Sequence, residues 1–257
     1  QAKEIMDNKA QAGLVLTAEY SDLWKEDKKT ETNEVMFALQ HSAKHKIASN
    51  YGKSYYPSDY SPNAGWADYY GNEDFFKAYP NDDRKEWNYM TEWKIKSGEI
   101  IPYTESADKL PAISKYYDYD EGAPGKSAQS NGITCIYRYA EVLLMYAEAS
   151  TRATNSVNQD ALNAIQEVQK RAGYQDRQIE LTTTTEPTAF LAAVSNERGW
   201  EFFAEMKRWF ELVRLEKVKE VRAEEWDAST FNTNHHYYFP VPYQQVDLAG
   251  WTNNAGY

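Results

Sequence analysis

The segment Tyr139–Ser150 constrains this chain more than any other. Ala140, Leu143, Leu144 and Ala147 fall at i, i+3, i+4 and i+7, which is one face of an α-helix and does not fit the two-residue period of a strand. An apolar stripe needs a second element to bury it, and the chain supplies one nearby. Asn158–Ala172 carries Ala161, Ile165, Val168 and Ala172 on one stripe, and Gly173 stands where such a helix stops. Two helices of this length with so short a connection make a hairpin of tetratricopeptide-like proportions. A third, longer helix is predicted over Thr188–Lys219, with Phe202, Met206, Trp209 and Val213 on a stripe broadened by Phe203 and Phe210. These patterns predict a mainly α fold.

The rest of the chain is less regular. Gln1–Lys25 is helix-compatible, but Gly13 interrupts it, so two short helices are predicted. Asn33–Gln40 is rich in strand formers and predicts one short strand. Between Tyr51 and Trp93, Gly52, Pro57, Pro62, Gly65, Gly71 and Pro80 break regular structure, so this stretch reads mostly as loop, with a short helix at Glu73–Tyr79. Thirteen of its 43 residues are aromatic, about twice the chain-wide 15%. Aromatic rings gathered where the backbone is irregular suit a binding surface. Residues 102–131 form another irregular stretch. The tail from His235 is aromatic and Pro-broken, and is expected to lie over the helices.

At 257 residues the chain can bury a real core as one large domain or two small ones. Its net charge of -11 disfavours a nucleic-acid partner. Cys135 is the single cysteine, which excludes an internal disulfide. No run of apolar residues is long enough to span a membrane as a helix. No secretory leader is apparent, and residues 1–12 read as charged, helix-compatible chain, which predicts a start inside a longer protein.

Several constellations resemble catalytic or metal motifs and fail on detail. Glu197, Glu201 and Glu205 recur every four residues near Arg198, Arg208 and Arg214, a spacing that predicts a salt-bridge lattice locking helices together. His41 and His45 lack the intervening glutamate of a zinc helix, and His235–His236 read as loop histidines. Gly122–Ser127 lacks the first glycine of a phosphate loop, where Asp120 stands. Asp118–Gly122 begins like a calcium loop but has Gly122 in place of an acidic ligand, so it reads as a solvated acidic turn. Cys135 reads as a small buried hydrophobe. No metal site and no cofactor are predicted.

Four segments in order carry a family resemblance. Tyr137–Ala149 reads YRYAEVLLMYAEA, Ala161–Gly173 reads ALNAIQEVQKRAG, and Glu197, Arg198, Glu201, Glu205 and Arg208–Arg214 form a third signature. The chain finishes with Phe239-Pro240-Val241-Pro242 and Asn253-Asn254-Ala255-Gly256-Tyr257. Together they resemble the C-terminal half of SusD/RagB proteins. The strand near Glu34–Gln40 and the step Asp82-Asp83-Arg84 fit as well, while Met206 departs by standing where the family often has glycine.

The resemblance implies an α/α superhelical fold with tetratricopeptide-like helix pairs, a small β element and long loops. It implies a single domain over 1–257, the C-terminal part of a longer protein. The implied protein is no enzyme. It is a lipid-anchored component of the outer-membrane surface of Bacteroidetes that binds glycans, or in some members peptides, for a SusC-like TonB-dependent transporter. With that resemblance, Tyr56, Tyr60, Asn63, Trp66, Tyr69 and Tyr70 become the expected ligand-binding set, because flat rings beside amide and carboxylate groups match both the C–H faces and the hydroxyl rims of sugars. Trp66 is expected to stack, with Ala64 and Gly65 leaving room for the ligand. The alternatives are a helical glycan hydrolase or lyase, with acids drawn from Asp59, Asp68, Glu73 and Asp74, and a purely structural docking scaffold.

Overall fold

The computed structural model describes residues 1–62, 64–116, 130–221 and 237–257. Asn63, the loops Asp118–Gly122 and Gly122–Ser127, and the pair His235–His236 lie outside the described residues. Two compact units are present, Gln1–Glu205 and Met206–Tyr257.

The first unit contains, in chain order, α1 (Ala2–Asp7), α2 (Lys9–Ala12), a 3-10 turn at Tyr20–Leu23, β1 (Val35–Gln40), α3 (Tyr51–Tyr55), α4 (Glu73–Ala78) and α5 (Asp83–Asn88). It continues with β2 (Tyr89–Met90), β3 (Glu92–Lys94), β4 (Ile100–Pro102), β5 (Ala112–Ile113), β6 (Ile133–Arg138), α6 (Tyr139–Thr154), α7 (Gln159–Arg171) and α8 (Pro187–Glu201). The strands form three antiparallel pairs, β1 with β6, β2 with β5 and β3 with β4. The second unit contains α9 (Arg208–Arg214), α10 (Val218–Val221) and α11 (Tyr243–Ala249). The last of these lies in a tail that the sequence reads as irregular.

The predicted stripes form the core. Ala140, Leu143, Leu144 and Ala147 of α6 are fully buried against Ala161, Ile165 and Val168 of α7 and Phe190 and Val194 of α8. Burying each Leu contributes about 1.5–3 kcal/mol. Helix α7 starts at Asn158, whose side chain accepts the Ala161 N–H at 2.8 Å. It stops at Gly173, where φ is +82° and a Cβ would stand 2.4 Å from Asp83 Oδ2. The predicted strand is β1, and it runs antiparallel to β6, the strand that leads into α6. Cys135 is buried on β6, two residues before Tyr137.

The third helix departs from expectation. The sequence predicts one helix over Thr188–Lys219, but α8 ends at Glu201, and beyond it Ala204 and Met206 adopt φ of +58° and +62°, which an α-helix does not contain. The stripe is therefore split. Phe202 is buried in the core, whereas Met206 is 52% exposed. A broken helix leaves its last carbonyls without intrahelical donors, and here side chains supply them. Tyr79 OH donates to Trp200 O at 2.6 Å and Arg138 Nη2 to Glu201 O at 2.7 Å. Lys115 Nζ donates to Phe203 O at 2.7 Å and Tyr116 OH to Ala204 O at 3.0 Å.

Candidate functional site

The aromatic segment is more ordered than its glycines and prolines suggest. After α3 the chain makes a loop that returns over its own start. The N–H groups of Gly65, Trp66, Ala67 and Asp68 donate to the carbonyls of Pro57 (2.9 Å), Lys53 (2.7 Å), Tyr56 (3.0 Å) and Ser54 (2.9 Å). Gly65 marks the crossing, since a Cβ there would fall 2.1 Å from Tyr56 O and 2.3 Å from Tyr56 Cβ. This glycine serves the close passage of two chain segments. The far end of the loop is pinned to the β3–β4 hairpin. Trp93 Nε1 donates to Asp59 Oδ1 at 2.8 Å, Ser61 N–H donates to Lys94 O at 2.8 Å, and Tyr60 bridges Ile95.

This backbone sorts the expected residues. Trp66 and Tyr69 keep 50% and 61% of their surface exposed. Tyr56 has none, and its ring lies 4.9 Å from that of the half-buried Tyr60. Tyr56 therefore supports Tyr60 from the interior and offers no face of its own. Tyr70 is half-buried and donates to Asp108 Oδ2 at 2.5 Å. Burial, followed by that bond, pushes its phenol above its ordinary range.

Three residues missed by sequence reasoning back the exposed pair. Tyr55 lies 5.7 Å from Tyr69 and stacks on Tyr116 at 5.9 Å and 16°. Burial, then Tyr51 and Tyr69, raises the Tyr55 phenol to about 12. Tyr116 meets Trp24 edge-on at 5.7 Å. Lys53 holds its ammonium 4.8 Å from the Trp66 ring centroid. Nothing in the sequence marks Lys53 or Tyr116, since both act through partners more than ten residues away.

The lattice of charges exists, with different cations from those expected. Glu197, Glu201 and Glu205 are buried, as are Glu34 and Asp82. Arg84 reaches Asp82 and Glu197 at 2.6 Å and Glu201 at 2.8 Å. Arg138 reaches Glu34 at 2.7 Å, Glu205 at 2.9 Å and also Glu201. Arg171 reaches Glu34 at 2.8 Å and also Glu201, and Lys115 reaches Glu205 at 2.7 Å. Of the expected cations, Arg198 approaches Glu141 at 3.5 Å. Arg208 lies beyond the helix break, 31% exposed and 3.6 Å from Glu211.

Burial raises Glu197 and Asp82, outweighing Arg84. Burial also opposes ionisation of Glu201, but Arg171, Arg138 and Arg84 overcome it and hold the carboxyl well below its ordinary value. Burial lowers Lys115 to about 8 despite Glu205. Each carboxylate oxygen in the cluster has a donor in the protein, so the cluster braces helices and presents no free acid. His41 is likewise engaged, through Ile47 O at 3.1 Å and Thr134 Oγ1 at 2.7 Å. Among the described residues no group of His, Cys, Asp and Glu is placed to hold a metal, and no helix is long and apolar enough to cross a membrane.

The helical hairpin, the strand leading into it and the buried arginines fall largely within residues 92–257, which match the model of the SusD family. The chain belongs to the SusD family. It is 25% identical over its whole length to SusD-like protein P2 of Formosa agariphila, and spans 55% of that relative. The SusD fold extends over the whole chain. A SusD homolog from Bacteroides thetaiotaomicron aligns with all of it at a TM-score of 0.79 and 20% identity, with 58% of that protein covered. Surface glycan-binding protein A of the same organism, solved in complex with laminarihexaose, aligns with 98% of the chain at a TM-score of 0.73 and 22% identity, again with 58% covered. The chain thus spans little more than half the length of the SusD proteins it matches.

Proposed function

We propose that this chain forms the C-terminal part of a cell-surface oligosaccharide-binding protein, which hands its ligand to a SusC-like TonB-dependent transporter and is held at the outer membrane by a lipid anchor. The observation that carries the reading is the pair Trp66 and Tyr69, half or more exposed on a loop whose backbone is fixed at both ends. Exposing two large rings in water stabilises nothing by itself, and a rigid ring platform suits the apolar face of a pyranose. Membership of the SusD family and the laminarihexaose complex of a structural neighbour support a glycan over a peptide.

On this reading the chain binds its ligand without catalysis. Asp59 is held by Trp93, and Glu73 pairs with Lys77 at 3.0 Å, so neither is poised as half of an acid–base pair. Turnover of any oligosaccharide that mutation of Asp59 or Asp68 abolishes would replace binding with hydrolysis or lyase chemistry. The direct test is Trp66→Ala in a calorimetric titration with laminarihexaose and a panel of other oligosaccharides. A central aromatic anchor is worth about 2 kcal/mol or more, so affinity should fall roughly thirtyfold while the melting temperature stays unchanged. Lost stability with intact affinity would make Trp66 a packing residue.

A further inference from the structure

We infer that the aromatic platform takes oligosaccharides bearing an acidic substituent, a uronate carboxylate or a sulfate ester, and that the Lys53 ammonium pairs with it. The inference rests on the reading of Trp66 and Tyr69 as sugar-facing rings. Lys53 is tied to the platform twice. Its carbonyl accepts the Trp66 N–H at 2.7 Å, and its ammonium stands 4.8 Å from the centre of the indole ring.

Other lysines that stand over aromatic rings are satisfied within the protein. Lys9 reaches Glu167 at 3.4 Å, Lys25 reaches Asp22 at 2.8 Å and Lys115 reaches Glu205 at 2.7 Å. Lys85 donates to Tyr79 O at 3.0 Å and Asn81 Oδ1 at 3.1 Å. Among the described residues Lys53 has neither a carboxylate nor a carbonyl in reach, although the chain carries 39 acidic residues against 28 Lys and Arg. An ammonium has three N–H donors, and here they remain open beside an exposed tryptophan.

The acids around the loop are disposed to leave that cation unmatched. Asp59 accepts from Trp93 Nε1 at 2.8 Å and Asp108 accepts from Tyr70 OH at 2.5 Å. Asp68, exposed two residues from Trp66, is left to receive sugar hydroxyls. Lys94 and Lys96 are exposed on the hairpin that pins Tyr60 and Ser61, but Glu92 and Glu99 share that hairpin and offset their charge. The pairing is therefore assigned to Lys53. The ring already restrains its ammonium, so less freedom is lost when an anion arrives, and a charge-assisted hydrogen bond is roughly twice as strong as a neutral one.

The test compares three probes of equal length on the intact protein: laminarihexaose, an oligogalacturonide hexamer and a sulfated galactan hexasaccharide. At least one acidic probe should bind about tenfold tighter than laminarihexaose at low salt and lose most of that advantage at 0.5 M salt, where the Debye length is under about 5 Å. The carboxylate and sulfate arms identify which anion is preferred. Lys53→Gln should weaken the acidic probe about tenfold more than it weakens laminarihexaose, roughly 1.4 kcal/mol, which abolishes the preference. Lys53→Arg should retain the preference. Equal or tighter binding of laminarihexaose, binding of none of the three, or an anion preference that survives Lys53→Gln overturns the inference. If Trp66→Ala weakens the neutral probe while Lys53→Gln changes nothing, the sugar platform stands and its anion selectivity is wrong. If Trp66→Ala weakens no probe, the platform itself is misplaced.

Discussion

Arg138→Met tests whether the buried charges hold the fold together. Arg138 has no exposed surface and donates to the carboxylates of Glu34, Glu201 and Glu205 and to the Glu201 carbonyl. Its cluster sets the cations Arg84, Lys115, Arg138 and Arg171 against the carboxylates Glu34, Asp82, Glu197, Glu201 and Glu205. Methionine keeps the apolar stem but leaves three cations facing five acids out of contact with water. Breaking a buried pair from one side costs about 3–5 kcal/mol, a large part of a total stability of about 5–15 kcal/mol. For a chain of this size the melting temperature should fall by roughly 6–20 °C. Urea unfolding followed by circular dichroism measures the loss. Adding Glu34→Gln should recover about 1–2 kcal/mol, because it removes one surplus negative charge while Arg171 keeps Glu201 as a partner. The deficit should also narrow from pH 7 to pH 5, as the surplus carboxylates take up protons. A loss below about 1 kcal/mol, within the range of an exposed ion pair, would refute the reasoning and mean that water or protons already neutralise the cluster.

Gly65→Ala should displace the crossing at Tyr56, lowering stability by about 1–3 kcal/mol by overpacking and weakening the same oligosaccharides as Trp66→Ala; an unchanged melting curve would show that the crossing is loose. Lys115 ionises in the folded chain at about 8, below the ordinary lysine value of 10.5. From pH 8 upward the unfolded chain thus binds more protons at this site, and stability should rise relative to Lys115→Met across that window in denaturant titrations at several pH values. Met206→Gly should stabilise by about 1 kcal/mol, since Met206 holds a φ of +62° that glycine adopts freely and a half-exposed side chain loses little burial; a destabilised variant would show that the methionine side chain outweighs the backbone cost.

What was legible in the sequence was local. Leu143, Leu144, Ile165 and Val168 repeat at the helical period and are fully buried in the core, and Asn158 and Gly173 bound α7 as cap and stop. Non-local pairing was not legible. Arg84 and Arg138 lie 117 and 63 residues from Glu201 along the chain, whereas periodicity points only to cations one turn away, such as Arg198. The break after α8 carries neither glycine nor proline, and only the family's preference for glycine at Met206 hinted at it. Helices α3 and α5 were hidden among residues that usually break helices. The start of α5 is fixed by Asp82, whose side chain accepts the N–H groups of Arg84 and Lys85 at 3.0 Å. In the aromatic loop, composition gave the rings, but which ones face water was decided by the crossing at Gly65. That crossing leaves Trp66 exposed, while Tyr56, an equally good candidate by residue type, is enclosed.

The charge cluster and the platform meet at two consecutive residues. Lys115 reaches down to Glu205 and to the Phe203 carbonyl, while Tyr116 bonds the Ala204 carbonyl and lays its ring under Tyr55, which backs Tyr69. Hydrogen bonds to fixed carbonyls are directional in a way that apolar packing is not, so they set the height and tilt of the stacked rings as well as their burial. A sugar bound mainly through ring faces gains little from any one hydrogen bond. Its affinity depends on how much freedom the rings must lose when it arrives. Rings already anchored through Tyr116 to the turn that ends α8 have less to lose. The broken helix, the buried arginines and the exposed aromatics are then parts of one arrangement: the break exposes carbonyls, the carbonyls fix Lys115 and Tyr116, and Tyr116 fixes the surface on which a ligand would rest.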